Sequence, residues 1–230
     1  MICGCTTPLA LAGCEGALST LDPAGPAAGH IAALWWLMLA GAGAILALVL
    51  GLIAAAFARR RPAGGESGPG SDTGPGSERL WIVGLGLVFP MAVLAALLAY
   101  GLVVGERLLP RQDGDVVVVE AEGQRWSWSF AYPDAPGLVT ENVLHIPAGR
   151  PVDVAITTAD VIHSFWVPRL AGKLDAIPGH VNVLRLEADR PGRYQGASAE
   201  FSGEGYAAQT FEVIAHDAAG WAQVLAGDVR

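Results

Sequence analysis

IAALWWLMLAGAGAILALVLGLIAAAFA, residues Ile31 to Ala58, contains no charged side chain. It is longer than the roughly 20 residues an α-helix needs to cross the hydrocarbon of a bilayer. A second uncharged stretch runs from Leu80 to Gly105. Together they predict a transmembrane α hairpin. They also explain why only 16% of residues are charged, where a soluble domain has about 25%. Gly41, Gly43, Gly84 and Gly86 lie within the two spans, and small residues in lipid favour close packing against a partner helix. Arg59, Arg60, Arg61 and Arg79 all fall between the spans, so the positive-inside rule puts that connection in the cytoplasm and both termini outside. Trp35 and Trp36 then sit near the outer interface and Trp81 near the inner one.

Between the spans, Pro62 to Ser77 is rich in Gly, Pro and Ser without apolar periodicity, the composition of a flexible loop. At the amino end, Leu11-Ala12-Gly13-Cys14 resembles a bacterial lipobox, in which Cys14 would be lipidated and Cys3 and Cys5 removed with the signal. The alternative is an ordinary tail of small residues, since the preceding segment is short and lacks basic residues. The net charge of −8 argues against nucleic acid as a partner. From Gly105 onward there are 10 basic and 17 acidic residues, a balance of −7. Such a surface suits either a basic partner or plain solvation.

Beyond Pro110 the pattern turns to short β-rich runs separated by Pro and Gly. Val116 to Glu122, Arg125 to Tyr132, Val143 to Ile146, Val152 to Thr157, Ile162 to Val167, Val181 to Glu187, Gly192 to Ser198 and Thr210 to Ala215 predict strands. Eight short strands imply an all-β sandwich or barrel. Asp217 to Leu225 predicts a closing helix with Trp221 turned inward. The chain therefore divides into an exported tail with the candidate signal (1–30), a helical hairpin (31–105, with its cytoplasmic loop at 59–79) and an exported β domain (106–230).

Four stretches carry a family resemblance that covers nearly the whole chain from Cys14 onward. They are Glu78-Arg79-Leu80-Trp81, Gln124-Arg125-Trp126-Ser127-Trp128-Ser129-Phe130, Asp160-Val161-Ile162-His163-Ser164-Phe165-Trp166-Val167-Pro168, and Lys173-Leu174-Asp175-Ala176-Ile177-Pro178-Gly179. Two helices followed by a β domain with these motifs resemble subunit II of the haem–copper respiratory oxidases. The resemblance implies a cupredoxin-like Greek-key sandwich.

In the cytochrome c oxidases of that family a pair of coppers is held by the strand histidine and a loop of pattern C-x-E-x-C-x3-H-x2-M. Here the loop reads Ser198-Ala199-Glu200-Phe201-Ser202-Gly203-Glu204-Gly205-Tyr206-Ala207-Ala208-Gln209. The spacing is kept and the ligands are not: Ser198 and Ser202 stand for the two thiolates, Tyr206 for the histidine and Gln209 for the methionine. Neutral hydroxyls cannot supply soft, anionic sulfur, and a mononuclear blue-copper site also needs a cysteine. No cysteine lies beyond Cys14. His163 is thus expected to be a hydrogen-bonded strand residue. His145, His180 and His216 are scattered, with no local metal-binding spacing.

Loss of copper ligands inside a preserved framework resembles the quinol oxidases, the cytochrome bo type in particular. The resemblance then implies no cofactor in this chain, with haems and copper in a partner, subunit I. It also implies further small membrane subunits, lipid and quinol as partners, and a bacterial inner membrane with the C-terminal domain periplasmic. Glu78 matches the family carboxylate at a proton-uptake entrance, or it caps its helix and pairs with Arg79. Glu200 matches a residue that helps bind magnesium, or it serves interface hydrogen bonding. Trp126 matches the aromatic residue beside which electrons enter; without copper it is expected to pack in the core or against the partner. Asp160 and Asp175 line the interface or are an exposed acid and a turn acid. Two rival readings stay open: an oxidase fed by a cytochrome without this copper relay, and a non-redox scaffold with a relic cupredoxin domain.

Overall fold

A computed structural model describes residues 16–58, 79–110 and 116–228. The chain forms two compact units, one of residues 36–108 and one that joins the N-terminal segment to residue 35 with everything from residue 109 onward.

The first unit holds the apolar segments. Helix α1, Pro26–Ala58, starts five residues before the uncharged stretch, with proline at a first-turn position where its missing N–H costs nothing. The second span opens as a wide helical turn, Leu80–Val88, and continues as α2, Phe89–Leu108. The Phe89 N–H bonds Gly84 O, five residues back. The register changes beside Pro90, which has no N–H to offer the α ladder. Within the most apolar window of each span no residue is buried. Contiguous apolar surface of that extent belongs in lipid or against other helices, and the chain is a membrane protein with a soluble C-terminal domain.

The second unit is a sandwich of two five-stranded sheets. Its strands are β1 (Val117–Gln124), β2 (Ser127–Ala131), β3 (Val139–Glu141), β4 (Val143–Pro147), β5 (Val152–Thr158), β6 (His163–Trp166), β7 (Lys173–Ala176), β8 (Asn182–Leu186), β9 (Gly192–Ser198) and β10 (Thr210–His216). One sheet has the order β3-β2-β1-β5-β8 and the other β4-β10-β9-β6-β7. Neighbours are antiparallel except β1 with β5 and β10 with β4, which run parallel. All eight expected strands are present. β3 and β7 were not anticipated as strands: both are short edge strands, and charged residues (Glu141, Lys173, Asp175) replace the apolar alternation that marks a strand.

Period-two burial builds the core. Val117, Val119 and Ala121 of β1 and Val152, Val154 and Ile156 of β5 face inward. At one end of the core Trp128, Phe130, Phe165 and Phe211 pack together, with Phe165 and Phe211 at 4.8 Å and Trp128 edge-on to Phe165 at 5.4 Å. Gly196 on β9 lies flat beneath the Phe211 ring. The closing helix α3, Ala218–Leu225, is capped by Asp217, whose carboxylate accepts the Gly220 N–H at 2.8 Å. It buries Trp221, as expected.

The segment before α1 docks on this unit rather than trailing free. The Ala24 N–H donates to Arg169 O at 2.7 Å, the Asp189 N–H to Ala24 O at 2.9 Å and the Ala28 N–H to Leu170 O at 3.2 Å. Arg169 pairs with Asp22 at 2.8 Å. Gly25 is required here: a Cβ would stand 2.1 Å from Glu187 O, a backbone atom that cannot swing aside. Gly25→Ala is therefore expected to lower the unfolding free energy of this unit by about 1–3 kcal/mol, the usual range for overpacking, and to expose the segment before Pro26 to protease. Chemical denaturation and limited proteolysis of the detergent-solubilised chain measure both.

Candidate functional site

The two stretches that resemble copper-ligand motifs meet at one end of the β unit, where β6 runs beside β9 and the 199–209 loop closes over them. His163, first residue of β6, is completely buried. Its ring is held at both nitrogens. Gln209 donates from Nε2 to the carbonyls of Gln124 at 3.0 Å and Ser127 at 3.2 Å, which leaves Oε1 to face His163 Nδ1 at 3.0 Å. Nδ1 therefore carries a proton. On the opposite side His163 Nε2 meets Asp160 Oδ1 at 2.8 Å. Burial alone would raise the Asp160 carboxyl, but hydrogen bonds from His163 and from the Val161 and Arg125 N–H groups outweigh it and hold it down to about 2. The ionised carboxylate accepts in this contact, and His163 is thereby held at both ring nitrogens.

The remaining positions lie at the end of β9 and on the loop that follows it. Ser198 Oγ accepts the Ser164 N–H at 3.4 Å. Ser202 is buried, and its Oγ has no hydrogen-bond partner among the described residues. Tyr206 stands on a single helical turn, Tyr206–Ala208, edge-on to Phe201 at 5.4 Å. Glu200 is bound by Lys173 at 3.1 Å, and β7 carries Asp175 opposite Ser164. Trp126 lies outside β2 and is 37% exposed. Its indole covers Gly203 and Gly205, both at positive φ. Of the two expectations for Trp126, packing in the core fails: it sits in the two-residue turn between the paired Gln124 and Ser127, and only Trp128 and Phe130 point into the core.

These donors do not fit a copper pair. The two sulfur positions carry hydroxyls, and the histidine nitrogen that faces the loop is bonded to Gln209. What the arrangement provides is a buried hydrogen-bonded cross-brace from Gln209, just before β10, to β1, to the start of β2 and to β6.

A family model described as cytochrome c oxidase subunit II, periplasmic domain, matches residues 137–215. The quinol oxidase subunit 2 of Bacillus cereus is 30% identical over 213 residues, which cover 90% of this chain and 72% of that one. The chain belongs to the subunit II family of haem–copper terminal oxidases. The cytochrome c oxidase subunit 2 of Alkalihalophilus pseudofirmus is 31% identical over 96% of this chain and 67% of its own. Among solved structures, the periplasmic domain of subunit II of cytochrome oxidase from Bradyrhizobium japonicum is 26% identical, covers 53% of this chain and 96% of that one, and has a TM-score of 0.48.

Of the six positions that stand for copper ligands in this subunit II, the fold joins His163 to Gln209 and sets Ser198 against the Ser164 N–H, while Glu200, Ser202 and Tyr206 lie along the same loop. Cys14 and Glu78 lie outside the described residues. Asp160 was read as an interface or exposed acid; it is exposed, and its carboxylate is also the second partner of His163, a role its i, i+3 spacing could have signalled. The histidines are not all scattered either. His145 and His216, 71 positions apart, meet at 2.8 Å because β4 and β10 pair in parallel, a pairing no local spacing reveals.

Proposed function

We propose that this chain is subunit II of a quinol:oxygen oxidoreductase, a non-catalytic subunit that braces and covers the large subunit. The observation that carries the reading is His163: in a loop of unaltered spacing its loop-facing nitrogen bonds Gln209, and no thiolate is within the motif. A copper relay takes electrons from a soluble cytochrome; a complex fed directly by membrane quinol has no use for one. The overall reaction is oxidation of two quinols by one oxygen molecule, coupled to proton translocation, with haem and copper chemistry in subunit I and further small subunits around it.

The basic residues Arg59, Arg60, Arg61 and Arg79 between the spans support a β domain on the periplasmic side of a bacterial inner membrane. Cys14 is a lipidation candidate on that same outer side, and Glu78 a proton-entry candidate at the inner mouth of the second span. Glu200, tied to Lys173, serves the interface through this ion pair; magnesium binding would require the pair to open.

Purification in mild detergent, followed by oxygen uptake with a ubiquinol analogue and with reduced cytochrome c, tests the proposal. A haem-bearing large subunit is expected to accompany the chain, and uptake to proceed with the quinol. Activity with cytochrome alone would overturn the donor, and absence of a haem subunit would favour the scaffold reading.

A further inference from the structure

On the outer face of the β4-β10-β9 sheet, His145 Nδ1 and His216 Nε2 are 2.8 Å apart, and the two rings are 22° from coplanar with centroids 5.1 Å apart. These values fix the kind of contact. The nitrogen-to-nitrogen gap and the two ring radii together account for the whole separation of the centroids, so the rings lie end to end and the facing nitrogens point straight at each other. That is a linear N–H···N hydrogen bond, in which one ring donates and the other accepts. It is not a chelate, because two lone pairs aimed along one line leave no room for a metal between them.

Such a bond has an asymmetric response to protons. With no added proton it holds, one ring supplying the hydrogen. With one added proton the bond can persist, the charged ring donating, although burial penalises the charge. With a second, two N–H groups and two positive charges face each other and it must break.

We propose that the His145–His216 pair is an acid-sensitive clasp that fastens the edge strand β4 to β10 and lets it loosen when the second proton arrives. The surroundings resist charge at this place. His145 is almost fully buried on β4, and its backbone N–H donates to Oη of Tyr132, just after β2, at 2.8 Å. Arg193 of β9 is the cation that faces it, itself paired with Glu212 of β10. Glu141 of β3 and Thr140 line the same cleft of about 370 Å³. Asp217, the cap of α3, follows His216. Burial, then the neighbouring His216 and Arg193, lower His145 to about 4, and burial lowers His216 as well despite the opposing pull of Asp217.

The sign follows from these directions. Unfolded histidine titrates near 6.5, so between that pH and about 4 the unfolded chain binds more protons than the folded one. Stability is full above pH 6.5 and is lost as pH falls through the window.

The test uses the full chain in detergent. Hydrogen–deuterium exchange, corrected for intrinsic rates, is expected to show peptides covering Val143–Pro147 losing at least tenfold protection between pH 7 and pH 4.5. His216→Gln, which keeps an uncharged partner, is expected to retain most of it and to show a shallower fall of denaturation midpoint with pH. Should that variant not fold, ring ¹⁵N signals of the wild-type histidines decide: the two rings are expected to titrate as a coupled pair below pH 6.5. Exchange of β4 that does not change with pH, an equal slope in His216→Gln, or two independent titrations near 6.5 would each overturn the clasp.

Discussion

Replacing Gln209 by methionine, the residue that stands at this loop position in the copper-binding relatives, is expected to destabilise the β unit by about 3–5 kcal/mol, a loss typical of breaking a buried polar network. Volume is nearly unchanged, so the loss is polar. Gln209 is 1% exposed and makes three hydrogen bonds: one to His163 Nδ1 and two to the carbonyls of Gln124 and Ser127. A thioether satisfies none of them. Each orphaned buried group costs about 1–3 kcal/mol, and here one of them is the ring whose other nitrogen meets Asp160. Urea or guanidinium titration of the solubilised chain measures the change. A loss below about 1 kcal/mol would mean that the loop rearranges and that the network is not a brace.

The second large effect is steric. Gly196→Ala puts a Cβ 2.2 Å from Cζ of Phe211 and within 2.7 Å of two further ring atoms. Phe211 cannot step back, because its ring is packed on Phe165 at 4.8 Å, Phe130 at 5.7 Å and Trp128 at 5.8 Å. Dense cores transmit such a displacement instead of absorbing it. The expected cost is about 3 kcal/mol or more, at the upper end of overpacking effects. Phe211→Leu alone leaves a void and is also destabilising. Because the two residues touch, the double variant is expected to be more stable than the sum of the single losses predicts, by about 1 kcal/mol or more in a double-mutant cycle. Strict additivity would show that the glycine is not there for the ring.

Much of this molecule was legible in one dimension. The spans are written in uncharged length, and eight strands in β-rich runs between Pro and Gly, because burial on one face imposes a period on the side chains. β3 and β7 escaped notice since an edge strand of three or four residues with charged side chains has no such period. At the site, the loop's composition already excluded a thiolate-bridged metal. It did not reveal what replaces the metal. That Asp160 and Gln209 take the two nitrogens of His163 depends on a turn of β5 into β6 and on the return of the chain at β10. Trp126 was expected in the core or against the partner; the turn at Arg125 and Trp126 takes it out of the strand, so the core reading fails.

Residue type and spacing alone determined that this chain has two membrane-crossing segments, a β domain and a loop that cannot hold bridging copper, since these follow from hydrophobicity, periodicity and the absence of sulfur. Only the tertiary structure decided which polar groups satisfy one another: His163 with Gln209 and Asp160, His145 with His216, and the Ala24 backbone with Arg169 and Asp189. The physical reason is that a buried polar group must find a partner wherever the fold supplies one. Which partner that is depends on strand order, and the parallel pairing of β4 with β10 joins residues that no local pattern connects.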